Sequence, residues 1–183
     1  MSIDDVTLIA RVVEKNDQRA FAELVKRYQS QLRYSLRQLT GWDHALADDL
    51  AQETFIKAYR SLRQFRGDAK FFTWLYRIAY NNFAAHMRSR KPEEQLDENA
   101  MESLADAREP ESDLHRDLAR AMLALSPDQR MALHLHMQRE LSHQEVADVM
   151  QCPLGTVKSH ILRGREKLQS ILSSWRPDDE ADA

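Results

Sequence analysis

Large apolar residues recur at intervals of three and four along most of this chain, the spacing of helices that each bury one face. Val6, Leu8, Ile9, Val12 and Val13 outline a short first helix. Phe21, Leu24, Val25, Tyr28, Leu32 and Leu36 outline a second, with Asp17 placed to cap it and Gly41 to stop it. Leu46, Leu50, Phe55, Ile56, Tyr59 and Leu62 set a third over 44–64, and a fourth runs from Phe71 to Arg90, ended by Pro92. Only four Gly and five Pro occur among 183 residues, few for the many tight turns of a sheet protein. The expectation is an all-α fold.

Further helices are expected at about 113–125, 127–139, 142–150 and 154–174, with Ser126-Pro127 as an N-cap and first-turn pair. Between the two sets, residues 92–112 hold no aromatic side chain and only Leu96, Met101 and Leu104 as large apolar ones, among many acids. Such a stretch reads as a flexible acidic linker, and 21 residues can span roughly 70 Å when extended. The chain therefore divides into two helical domains, 1–91 and 113–175, followed by an acidic tail at 176–183.

A net charge of −3 conceals an opposition. Residues 57–91 carry nine basic groups and one acidic, whereas 92–117 carry two basic and ten acidic. The basic block points to nucleic acid, and the acidic one to a solvated or masking segment. The single cysteine, Cys152, excludes an internal disulfide and any Cys-rich zinc site, and agrees with a reducing cytoplasm. His134 and His136 have no ligand pattern around them, so no metal and no cofactor are expected. The N-terminus carries acids before a short apolar run, unlike a signal peptide, and no apolar run approaches the ~20 residues of a membrane helix.

Residues 141–168, LSHQEVADVMQCPLGTVKSHILRGREKL, have the form of a helix-turn-helix. Ser142 and Glu145 make a capping-box pattern, and Gln151-Cys152-Pro153 breaks the chain between two helices. Phasing the second helix places Ile161, Gly164 and Leu168 within about 40° of Val157 as an inward stripe. Ser159, Leu162, Arg163 and Glu166 then face out, flanked by Lys158 and Arg165 on one side and His160 and Lys167 on the other. Ser, Lys and Arg can reach base edges and phosphates in a major groove, and an outward Leu162 can meet a thymine methyl. Cys152 reads as a packing residue in the turn.

The basic block 57–91 also carries eight aromatic residues, among them Phe65, Phe71, Trp74 and Tyr80. Cations that follow a backbone and rings that stack on unpaired bases suit single-stranded nucleic acid. Phasing groups Trp74, Arg77, Asn81 and Arg88 on one side of the fourth helix, while Tyr76, Tyr80, Phe83 and Met87 face the core. The polar loop from Phe65 to Lys70 could hold an extruded base.

DDLAQETFIKAYRSL (48–62), FRGDAKFFTWLYRIAYNN (65–82) and the helix-turn-helix together resemble bacterial sigma factors of the sigma-70 family, in the sigma-E-like extracytoplasmic-function (ECF) group. The resemblance implies a region-2 domain, a linker and a region-4 domain. It implies a stress-response promoter-specificity subunit with no catalytic residues, acting in the cytoplasm on RNA polymerase core (beta and beta-prime subunits) and promoter DNA. Asp49, Gln52, Glu53 and Phe55 match positions that dock on the polymerase clamp helices. Lys57, Phe65, Arg66, Asp68, Lys70, Trp74, Arg77 and Asn81 match the part that melts and captures the −10 element. Lys158, Ser159, His160, Leu162 and Arg163 match the reader of the −35 element. An anti-sigma factor, in many members membrane-anchored, is the implied inhibitor. TVKSHIL also resembles the stand-alone LuxR-type regulators, which need neither the docking motif nor the melting block.

Overall fold

The computed structural model describes residues 3–89, 118 and 120–174, and those residues are helical or in short connections. Helix α1 spans Asp5–Lys15 and begins where the Asp4 carboxylate accepts from the Thr7 amide at 2.7 Å. Asn16, in the left-handed conformation, ends it. Helix α2, Gln18–Leu39, starts at Asp17, one oxygen of which accepts from the Arg19 and Ala20 amides at 3.0 and 3.2 Å. The other oxygen pairs with Arg11 at 2.6 Å, locking the corner between the two helices. Helix α3 covers His44–Ser61, capped by Asp43, and tightens into a 3₁₀ turn at Leu62–Gln64. Helix α4 covers Phe71–Ser89.

The expected caps and spans hold in this half as far as Ser89, including the stop at Gly41, while the expected helix end at Arg90 and its stop at Pro92 lie outside the described residues. The Gly41 φ of +70° favours glycine, and a Cβ there would lie 2.5 Å from the Leu123 side chain. Leu24, Leu32, Leu36, Leu62, Leu75 and Phe83 are fully buried between the four helices. Each contributes about 1.5–3 kcal/mol of hydrophobic stabilisation. Tyr76 joins them and satisfies its hydroxyl inside the core: it lies 2.6 Å from the Ser35 hydroxyl and donates to the Gln31 carbonyl at 3.2 Å.

The second half begins with helical residues at 118 and 120–123 and continues through α5, Pro127–Leu133. Ser126 caps α5 with a full capping box, which Gln129 closes from the other side at 3.2 Å. A single helix to residue 139 is the sequence expectation. Instead α5 widens into a π turn at His134–Gln138, where the Arg139 amide donates to the His134 carbonyl five residues back. Consecutive residues from Arg130 through the start of the π turn at Leu135 are all buried. Helix α6, His143–Met150, has the expected Ser142–Glu145 box, and α7, Leu154–Ser174, follows the turn at Gln151. Gly164 lets α7 cross α5, since a Cβ there would lie 2.7 Å from Leu133. The expected linker at 92–112, the start of the helix at 113–117 and the tail at 176–183 lie outside the described residues.

Arg130 joins the halves. Its buried guanidinium donates to four main-chain carbonyls: Met122 and Leu123 at 3.0 Å, Leu125 at 3.2 Å, and Leu39 at the end of α2. A cation thus sits on carbonyls at the ends of two helices, where most lack helical partners, although the Met122 carbonyl also accepts from the Leu125 amide at 3.1 Å. Burial alone lowers its pKa to about 10.

Two stability effects follow. Arg130→Met leaves buried carbonyls unpaired and should lower unfolding free energy by on the order of 3 kcal/mol, measured by denaturant titration. His134 is buried, with no hydrogen-bond partner of good geometry among the described residues. Burial, then the Arg139 charge, lower its pKa from 6.5 to about 4. The unfolded state therefore binds the proton first, so this contribution is complete above pH 6.5 and is lost as pH falls towards 4. The His134→Leu variant should show a flatter fall of unfolding midpoint across that interval than the parent.

Candidate nucleic-acid interface

Helix α7, the second helix of the helix-turn-helix pattern, is arranged as its phasing requires. Val157, Ile161 and Gly164 are buried, while Lys158, Ser159, Leu162 and Arg163 are exposed and His160 is half-buried. Leu162, at 59% exposure, is among the most exposed large apolar side chains described. Its outward placement agrees with the phasing of the helix. Cys152 packs in the turn, half-buried. Burial and then the Asp128 carboxylate push its thiol pKa up, so it stays a thiol and serves packing.

The loop after α3 and the first turns of α4 form a cup of about 520 Å³, within the range that holds a small ligand. Phe65, Arg66, Asp68, Trp74, Arg77 and Asn81 all line it. Six residues chosen from sequence thus converge. Arg66, Asp68, Arg77 and Asn81 are exposed, but Trp74 is half-buried against Phe65 and Phe71, with ring centroids 5.3 and 5.7 Å away. The aromatic floor is therefore built from rings packed edge-on or tilted against one another, Phe65 and Phe71 meeting at 86°. Lys57 and Lys70 do not line the cup. Lys57 lies one helical turn before Ser61, which does, and its ammonium bonds Glu53 and Asn82, each at 2.6 Å.

On α3, Asp49, Gln52 and Glu53 are exposed and Phe55 is half-buried. Gln52 and Phe55 open onto a groove between α2 and α3, floored by Phe21, Val25 and Ile56 and flanked by Arg33 and Arg60. Asp49 and Glu53 lie off that groove, on the same helix.

The two halves are packed together over the cup. Helix α6 lies against α4, and Asp148 contributes to the cup wall. The Gln151 amide presents its oxygen to the Arg77 guanidinium, 3.0 Å from Nε, since its nitrogen would place two donors face to face. The Arg139 guanidinium stands over the Phe72 and Tyr76 rings at 5.2 and 5.9 Å. Tyr80 donates to Asp128 at 3.0 Å, and burial followed by that carboxylate raises its pKa. Sequence reading missed Arg130, Arg139 and Asn82, each a polar residue on a helical pattern. Asn82 had one visible signal: a polar side chain on the core-facing side of α4.

Comparison with known proteins agrees with this geometry. Residues 24–93 match the family model for sigma-70 region 2, and residues 115–168 that for sigma-70 region 4. The chain is 40% identical to the RNA polymerase sigma-H factor of Pseudomonas aeruginosa, over 92% of this chain and 93% of that protein. It is 38% identical to the ECF RNA polymerase sigma-E factor of Escherichia coli, over 92% and 94%. Among solved structures, CnrH in complex with the cytosolic domain of CnrY superposes with a TM-score of 0.68 at 25% identity, covering 94% of this chain and all of that one. The sigma factor RpoE of Bartonella quintana, solved with the anti-sigma factor NepR, gives 0.65 at 27%, over 85% and 98%.

Two helical domains that match regions 2 and 4 of one family make this a transcription initiation factor of the sigma type. The chain belongs to the sigma-70 family, in its extracytoplasmic-function group, and directs RNA polymerase to promoters. The region-2 match covers the part that a stand-alone LuxR-type regulator would not need, and that alternative falls.

Arg139→Ala removes a contact worth roughly 0.5–2 kcal/mol where α6 meets α4. Amide exchange should quicken in α6 and around Phe72–Tyr76 while α1 to α3 keep their protection.

Proposed function

We propose that the chain contacts its partners through three separate surfaces. Gln52 and Phe55, with Asp49 and Glu53 beside them, dock on the polymerase clamp helices. Phe65, Arg66, Asp68, Trp74, Arg77 and Asn81 take the melted −10 strand, with Lys57 and Lys70 on its phosphates. Lys158, Ser159, His160, Leu162 and Arg163 read the −35 duplex. The observation that carries this reading is the convergence of six sequence-chosen residues on one cup that is open to a base.

The cup wall includes Asp148, and Arg77 is engaged by Gln151. Promoter capture therefore requires α6 to leave α4, exchanging those polar contacts for phosphates and bases. The regions act as units at 1–91 and 113–175, with 92–112 as tether. An anti-sigma protein is the proposed inhibitor, supported by the NepR complex of the Bartonella sigma factor. The chain would then work in the cytoplasm, reaching the membrane face only through such a partner. Among the described residues, no helix is long and apolar enough to cross a membrane.

The decisive experiment is in vitro transcription with purified core polymerase: start sites should appear only with both proteins present, and core-independent operator binding would overturn the reading. Arg163→Ala should change preference at particular −35 bases by about 1–3 kcal/mol if the contact is bidentate to guanine. A uniform loss over all sequences would assign Arg163 to a phosphate instead.

A further inference from the structure

The polar side chain of Asn82 is 4% exposed in the seam between α3 and α4, where an apolar residue would pack more simply. Its hydrogen bonds fix which way the amide faces. The Thr54 hydroxyl donates to the Leu50 carbonyl at 2.7 Å, so its oxygen is left to accept, and the Asn82 Nδ2 donates to it at 3.1 Å. The amide oxygen must then point outward, and there it accepts from the Lys57 ammonium at 2.6 Å. A reversed amide would set two donors against each other, because an ammonium has no acceptor. The chain of bonds runs from the α3 main chain through two buried groups to one half-exposed cation.

We infer that Asn82 is a positioning residue: it holds the Lys57 ammonium at the edge of the cup, aimed at the phosphate backbone of the melted strand. The placement fits. Asn82 directly follows Asn81, which lines the cup, and Lys57 is one turn from Ser61, which also lines it. A lysine on a four-carbon stem is otherwise a mobile point charge. Glu53 holds the same ammonium from the other side at 2.6 Å, but both members of that pair are about half exposed, and such pairs hold weakly. The buried amide is the firmer of the two anchors. The inference rests on Lys57 being a DNA contact, so the test separates the two claims.

The probe is forked DNA whose single-stranded −10 sequence has been selected by the wild-type holoenzyme from a random pool. Its affinity for holoenzyme is measured over a range of salt for the parent, Lys57→Ala, Asn82→Leu and the double variant. Lys57→Ala should weaken binding and lower the slope of log affinity against log salt by about one. Asn82→Leu keeps the cation, so the slope should stay, while affinity falls about three- to tenfold as Lys57 loses its anchor. In the Lys57→Ala background, Asn82→Leu should cost nothing further. Asn82→Asp, which keeps an oxygen for Lys57, should retain most of the affinity. Should Asn82→Leu lower the unfolding midpoint, Asn82→Thr, shorter but still polar towards Thr54, is read through the same cycle. Equal losses from Asn82 substitution in both backgrounds, or none in the parent, would reduce Asn82 to a structural tie and overturn the inference alone. No change of affinity or slope in Lys57→Ala would overturn the Lys57 assignment and the inference with it.

Discussion

Helix α4 has to satisfy three neighbours at once, and the rest of the molecule is arranged around that demand. Its inner face, with Leu75, Ala79 and Phe83, completes the core of the first domain. A second strip, Trp74, Arg77 and Asn81, faces the cup. A third, with Phe72, Tyr76 and Tyr80, receives Arg139 and Asp128 from the second domain. A helix has room for three strips only if each is narrow. The polar and aromatic residues on α4 are therefore there for different neighbours, although in sequence they form one block.

That crowding explains what sequence could and could not disclose. Caps and stops are local events: Asp17 and Ser142 each bond amides two or three residues away, so their spelling in the sequence suffices. The inward stripe of α7 was equally legible, because Val157, Ile161 and Gly164 repeat with the helix. The cup was legible because a single loop and the first turns of the following helix supply nearly all of it. Arg130 was not, because its acceptors include Leu39, 91 residues away, and nothing in a helical pattern distinguishes a buried arginine from a surface one. The tyrosines show the same limit. Tyr76 and Tyr80 were expected in the core, and Tyr76 is, but Tyr80 is half-buried with its hydroxyl on the second domain.

The charge opposition reads differently once the fold is known. Lys57 is neutralised in part by Glu53 on its own helix, and Lys70 feels the Glu145 carboxylate of the second domain. The basic block is thus not a bare cationic face. Some of its charges already have acidic company inside the folded chain, drawn from residues well outside the acidic segment at 92–117.

The contacts between the domains differ greatly in strength, and the difference sets which must break when they part. Contacts at the cup rim, such as Gln151 with Arg77 and Glu145 near Lys70, join exposed groups. In water such pairs are worth about 0–1 kcal/mol each, and a phosphate can replace a carboxylate or amide at little net loss. Arg130 is another matter. Its bond to Leu39 is buried, and separating the domains strips an acceptor from a guanidinium still held by three carbonyls of its own domain. If water reaches the freed Leu39 carbonyl as the seam opens, the cost is that of one exchanged hydrogen bond, about 0.5–1.5 kcal/mol. If the seam opens only at the cup, the bond survives. Opening the seam at the cup, about the Arg130 end, would break the weak rim contacts, the Arg139 ring contact and the packing of α6 on α4 while leaving the buried cation seated.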